Sequence, residues 1–250
     1  MDATSRFTGR ATAYERARPQ YPRAVIDLLD EMCDLHTSRV VADLGSGTGI
    51  FARLLADEGL TVIGVEPNSD MRAVAERDLA KSRNFRSVDG RAEATSLPDG
   101  SVDLVTAAQA FHWFDAEKTR KEALRILRAT GKAALVWNDR DKTSTPFAKS
   151  FEELLLATCP DYPKLQGSSA NVPEAFDAFF GPGGFQRRSV ANGQLLDRAG
   201  LVARVMSASY APKDNATLVE GLDALFAKYA EGGKVTILYD CVVIAGRPRR

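Results

Sequence analysis

The run Arg39–Leu44 (RVVADL), followed at once by Gly45-Ser-Gly47-Thr-Gly49, constrains this 250-residue chain more than any other feature. A short, β-branched apolar run predicts a strand buried on both faces. The next residues change period: Ile50 to Glu58 sets Phe51, Leu54 and Leu55 on one helical face and stops at Gly59. The same alternation then repeats. Thr61–Glu66 (TVIGVE) predicts a second buried strand, and Asn68 an N-cap for a helix carrying Met71, Val74, Ala75 and Leu79 inward. Phe85–Val88, Val102–Ala110 and Lys132–Asn138 predict three more strands, with a helix capped by Asp115 before the last. Strands alternating with helices predict parallel βαβ units in a doubly wound α/β sheet with right-handed crossovers.

The regularity ends after Arg140. Residues 141–200 are rich in phenylalanine (Phe147, Phe151, Phe176, Phe179, Phe180, Phe185) and proline, with the turn Gly181-Pro-Gly-Gly184. They predict helices and loops laid over one end of the sheet as a lid. Leu201–Tyr210 and Val235–Ala245 read as further strands, separated by a helical stripe of Leu218, Leu222, Leu225, Phe226 and Tyr229.

Charge narrows the function classes. The 33 basic residues equal the 33 acidic ones, which argues against a broad nucleic-acid surface. Cys33, Cys159 and Cys241 are widely spaced, so neither a disulfide framework nor a metal site is expected. The opening is polar, without a signal-peptide pattern, and no run is long enough to span a membrane. A cytoplasmic monomer or homodimer acting on a small molecule is the expectation, and the short basic ending Arg247-Pro-Arg249-Arg250 reads as a solvated tail.

The glycine turn carries the chemistry. Ligands of open α/β sheets bind at the carboxyl ends of the strands, where the strand order reverses. A dinucleotide turn asks for G-x-G-x-x-G, and its third glycine would fall on Ile50; here it comes one residue early, at Gly49. Asp43 also precedes the glycines. A carboxylate there repels a pyrophosphate but attracts the ammonium and sulfonium of S-adenosylmethionine (SAM). Glu66 ends the second strand, roughly 20 residues on, the spacing at which an acid reaches ribose hydroxyls. Asp89-Gly-Arg-Ala92-Glu93 follows the third strand and can read an adenine edge.

These segments, with Leu97-Pro-Asp-Gly-Ser-Val-Asp103 and Ala108-Gln-Ala-Phe-His-Trp-Phe-Asp115, resemble the class I SAM-dependent methyltransferases. Among them they look most like the small-molecule branch that includes the trans-aconitate-type enzymes. Tyr14 with Arg18-Pro-Gln-Tyr21-Pro22 resembles the N-terminal segment that folds over SAM in that group, and Ser207-Ala-Ser-Tyr210-Ala-Pro212 its late-strand motif. The resemblance implies a Rossmann-like, seven-stranded, mostly parallel sheet whose last strand is antiparallel. It implies a single domain: a cap (1–38), a SAM-binding core (39–140), a helical lid (141–200) and C-terminal strands (201–250). It implies Gly45 and Gly47 against the methionyl part, Glu66 on the ribose, Ala92 and Glu93 at adenine, and Gln109 and Ala110 below the methyl donor. Tyr14, Arg18, Asp43, Ser46, Pro67 and Met71 complete the implied cofactor set.

Methyl transfer from a sulfonium needs alignment and exclusion of water, while a general base is optional. His112 is the candidate base and equally a wall residue. Tyr21, Trp113, Trp137, Asn138, Arg140 and Tyr210 are candidate substrate contacts, and Arg18, Arg140 and Arg204 candidate clamps for an acceptor carboxylate. The expected function is methyl transfer from SAM to a small molecule, a carboxylate among the candidates, leaving S-adenosylhomocysteine. The alternatives are a non-catalytic SAM-binding protein and a nicotinamide-dependent oxidoreductase.

Overall fold

The computed structural model describes residues 17–36, 39–165, 173–212 and 215–249. The predicted strands form where the buried runs lie: β1 Val40–Leu44, β2 Thr61–Val65, β3 Phe85–Val88, β4 Val102–Ala108 and β5 Leu127–Arg140. With β6 Phe185–Leu196 and β7 Val235–Gly246 they make one seven-stranded sheet in the order β3-β2-β1-β4-β5-β7-β6. β1 to β5 are parallel, and β7 runs antiparallel to both neighbours, β5 and β6.

Alternate side chains of the central strands feed two cores. Ala42, Leu44, Val65 and Leu135 face one way and meet Ala123 and Ile126 of α4 (Ala116–Ile126) and Phe176, Phe179 and Phe180 of α7 (Pro173–Phe180). Val41, Val62 and Val136 face the other way, against Val25 and Leu29 of α1 (Ala24–Cys33) and Phe51 and Leu55 of α2 (Ile50–Asp57). Helix α3 (Ser69–Asp78) starts as expected: the Asn68 side chain accepts from Met71 N. Asp115 caps α4 by accepting from Lys118 N.

A third core lies at the far end. Phe151 and Leu155 of α5 (Pro146–Thr158), Tyr162 of α6 (Tyr162–Leu165), Leu201 and Val205 of α8 (Arg198–Met206) and Leu218 and Leu222 of α9 (Ala216–Tyr229) pack on Val235, Ile237 and Tyr239 of β7.

Two expectations are corrected here. Leu201–Tyr210 is not a strand, because 198–206 is helical: Asp197 accepts from Gly200 N at 2.7 Å, and Leu201 and Val205 are buried one turn apart. The stretch 141–200 is not only helices and loops, since Phe185–Leu196 within it forms β6, paired with β7 along its whole length. β6 is an edge strand with its first half mostly exposed, so it lacks the apolar signature of its neighbours. Among the described residues, no helix is long and apolar enough to cross a membrane.

Candidate functional site

The sheet order puts β1 between β2 and β4, so the winding reverses there. The turns leaving β1 (45–49) and β4 (109–114) diverge at that point, and a cavity opens between them. Asp43, Gly45, Ser46, Gly47, Glu66, Pro67 and Met71 line it, as do Ala92, Glu93, Gln109 and Ala110. The sequence-derived cofactor set is therefore brought together, Arg18 included. Tyr14 lies outside the described residues.

The turn owes its shape to missing side chains. Gly45 has φ +64°, and a Cβ there would stand 2.8 Å from the Ala110 Cβ, with the Phe114 ring at 3.0 Å. The Gly45 and Ser46 amides donate to Val65 O, which ties the turn to β2. Gln109 is left-handed without being glycine, at φ +55°. Its amide donates to Val136 O, and its side-chain Nε2 donates to Asn138 O at 3.1 Å. Such strain persists only where the surroundings hold it, and it gathers at ligand sites.

Two carboxylates face the turn. Glu66 Oε2 accepts from Gly47 N at 3.0 Å, and Oε1 accepts from Asn68 N at 2.8 Å. Burial nevertheless pushes its pKa above the usual range, against these bonds and the Arg72 charge. Asp43 is only 1% exposed. Its Oδ1 accepts from Thr106 Oγ1 at 2.8 Å, while Oδ2 is buried with no hydrogen-bond partner. Burial, with a smaller push from Glu66, raises its pKa to about 7 against the Thr106 bond. An unsatisfied buried oxygen of this kind costs about 1–3 kcal/mol. An ammonium satisfies it and a phosphate does not, so the residues fit SAM.

The loop after β3 is held from below. Thr95 N and Oγ1 donate to Glu122 Oε1 at 2.7 and 2.6 Å, and Arg125 pairs with the same carboxylate at 2.7 Å. Glu93 Oε1 accepts from Asp115 N at 3.0 Å, which joins the loop to the start of α4.

The remaining expectations divide. Tyr21, Trp113 and Asn138 line the cavity, and so does Arg204, one of the candidate clamps. Three substrate candidates do not. Trp137 points into the core, where it meets Phe111 and Phe176, because alternation along β5 turns it away from Asn138. Arg140 pairs with Glu152 and with Tyr162 Oη at 2.7 Å and lies over the Phe151 ring. Tyr210 packs on Tyr162, with ring centroids 4.8 Å apart. His112 is also off the cavity wall. Burial, then the Arg18 charge, lowers its pKa to about 4, which leaves it neutral and weakly basic.

Sequence reasoning missed Ile50 and Phe51 as wall residues: both sit at the start of α2, next to the turn. Phe51 belongs both to the core and to the cavity wall, and its ring meets Tyr21 edge-on. Arg91, beside Ala92, also lines the cavity.

Residues 42–135 match the family model described as a methyltransferase domain. An uncharacterized methyltransferase of Mycobacterium bovis is 40% identical over 141 residues, 56% of this chain and 55% of that protein. The chain thus spans about half the length of the curated relatives it matches. A protein of Anaeromyxobacter dehalogenans assigned as a type II methyltransferase has the same fold, with a TM-score of 0.69 at 23% identity, covering 92% of this chain and 97% of that one. The phosphoethanolamine N-methyltransferase 2 of Haemonchus contortus, solved with SAM, covers all of this chain (100%) and 61% of its own, with a TM-score of 0.58 at 18% identity. Residues 42–135 are thus similar to a methyltransferase domain, on the fold that SAM-dependent methyltransferases share.

Proposed function

We propose that the protein transfers the methyl group of SAM to a small-molecule acceptor carrying a carboxylate. The observation that carries the reading is the unsatisfied Asp43 oxygen, deep in a cavity whose wall also holds Arg18 and Arg204. SAM supplies an activated methyl group on a sulfonium. Asp43 holds the ammonium of the amino-acid end, Glu66 the ribose, and Ala92 with Glu93 the adenine edge. Gly45 and Gly47 let the backbone approach the methionyl chain. Gln109 and Ala110, fixed by the left-handed turn after β4, form the floor beneath the reacting methyl.

Arg18 and Arg204 orient the acceptor carboxylate, since a guanidinium pairs bidentately with one. A carboxylate is already ionised at neutral pH, so the acceptor needs no base. That agrees with His112 being neutral, weakly basic and off the wall. Tyr21, Trp113 and Phe114 exclude water from the reacting centre.

The test has two parts. Titration with S-adenosylhomocysteine and with NAD decides the nucleoside, and binding of NAD alone would remove the reading. Labelled methyl transfer to a panel of small acids, phenols and amines decides the acceptor. A carboxylate acceptor gives an alkali-labile methyl ester that releases methanol. Label that survives alkali, on a phenol or amine, would leave methyl transfer standing and sink the carboxylate assignment. Tight SAM binding with no product across the panel would favour a non-catalytic SAM-binding protein.

A further inference from the structure

Residues 17–21 form a strap across the cavity: Arg18, Pro19 and Tyr21 are part of its wall. The strap cannot join the sheet by an ordinary ladder, because Pro19 and Pro22 have no N–H to donate. Its carbonyls are met by side chains instead. Asn192 and Gln194 sit at alternate positions of the edge strand β6, both half-buried on the same face. Asn192 Nδ2 donates to Gln20 O at 2.8 Å and to Asn138 Oδ1 at 2.9 Å. Gln194 Nε2 donates to Ala17 O at 3.1 Å. Gln194 Oε1 accepts from Tyr239 Oη at 3.3 Å, and that hydroxyl accepts from Arg204 Nε at 3.2 Å.

Each amide nitrogen therefore donates to the strap; the Asn192 nitrogen also donates to a cavity side chain, and the Gln194 oxygen is one hydroxyl away from another. Asn192 joins Gln20 to Asn138, and Gln194 joins Ala17 through Tyr239 to Arg204. On the same face of β6, Val190 packs against the core.

We propose that Asn192 and Gln194 are positioning residues: they latch the 17–21 strap over the cavity and couple the acceptor end, at Asn138 and Arg204, to retention of the nucleoside. The proposal rests on the cavity being the SAM site. An acceptor that engages Arg204 stiffens the Tyr239–Gln194 link and so holds the strap down until transfer is complete.

The test uses Asn192→Asp and Gln194→Glu in the full chain. Both keep size and shape but replace the donating amide nitrogen with an acceptor oxygen, so a packing role would be unaffected. Two readouts apply. In stopped-flow displacement, S-adenosylhomocysteine should leave each variant about fivefold faster, the factor carried by one net hydrogen bond, with KM for SAM rising and kcat little changed. In the ligand-free protein, amide hydrogen exchange should speed up in the peptide covering 17–21 and stay the same elsewhere. Unchanged dissociation in both variants, or unchanged exchange in that peptide, overturns the latch. If the unaltered protein takes up no S-adenosylhomocysteine, the reading of the cavity fails, and the exchange arm still decides whether the two amides hold the strap.

Discussion

Asp43→Asn is the sharpest probe of the site. The substitution is nearly isosteric, and its amide oxygen can still accept from Thr106. What it removes is an ionisable group that burial holds at a pKa of about 7. In the unaltered protein, a ligand ammonium has to meet the ionised carboxylate. Below pH 7 that carboxylate must first lose its proton, so affinity for S-adenosylhomocysteine should fall about tenfold per pH unit. From pH 7, where the group is half ionised, to pH 5 the loss is then roughly 50-fold, about 2.3 kcal/mol. At pH 6, binding should release about 0.9 proton, which calorimetry in buffers of different ionisation enthalpy measures directly. The asparagine variant should show no pH slope. Near pH 7.5 it should bind about 10- to 150-fold more weakly than the unaltered protein, the worth of a charge-assisted hydrogen bond, and the two curves should converge by pH 5. The ligand-free protein gives an independent reading. A carboxyl raised from 3.8 to about 7 on folding favours the folded state at low pH. Stability should therefore be lost as pH rises through that window, by about 4 kcal/mol at most, and the variant should lack this loss. A flat affinity from pH 5 to pH 7 with no proton release would refute the argument, as would a variant that binds fully at pH 7.5.

Glu66→Ala should weaken SAM by about 1.5–3 kcal/mol in a binding titration, and it also frees the Gly47 and Asn68 amides that the carboxylate holds; unchanged affinity would show that Glu66 does not reach the ribose. Gly45→Ala should lower the melting temperature and weaken ligand binding, because its Cβ collides with Ala110 and the left-handed backbone costs about 1–2 kcal/mol; an unchanged melting curve would contradict the packing described at that turn. Glu122→Gln should cost stability at neutral pH but little near pH 2, since the Arg125 pair holds the carboxyl down to about 2 and its benefit fades as pH falls from about 4; urea titrations at pH 7 and pH 2.5 compare the two. Arg204→Lys should raise KM for a carboxylate acceptor about tenfold or more while leaving affinity for SAM largely intact, and equal losses for acidic and neutral acceptors would remove Arg204 from acceptor recognition.

The first half of the chain was legible because each element there carries its own signal. β1 and β2 are buried on both faces and so read as unbroken apolar runs, and Asn68 and Asp115 announce the helices they cap. The cavity wall around the glycine turn was legible for the same reason, since it is built from the turns that follow those strands. The wall at the end of β5 was harder. Trp137 and Asn138 are adjacent in sequence, yet only one can face the cavity, and strand polarity settles which. Arg140 lies two residues beyond Asn138 on the same strand, but a half-buried partner, Glu152 on α5, draws it aside. That is a tertiary contact with no local trace. The 198–206 segment misled because Val202 and Val205 suit strands, while the Asp197 cap and the spacing of Leu201 and Val205 decide for a helix. β6 was hidden because an edge strand that donates its side chains to a strap need not look apolar.

β7 follows β6 in the chain but lies inside it in the sheet. During synthesis β6 has no edge to join until Val235–Gly246 has left the ribosome, whereas β1 to β5 can pair as they emerge. The half-made protein therefore exposes the flank of β5, a hydrophobic border that Val242, Val243 and Ile244 later cover. Late completion by long-range pairing is slow and prone to self-association. The nascent chain's period of greatest risk is thus set by the arrival of a single strand, and chaperone demand should peak in that interval.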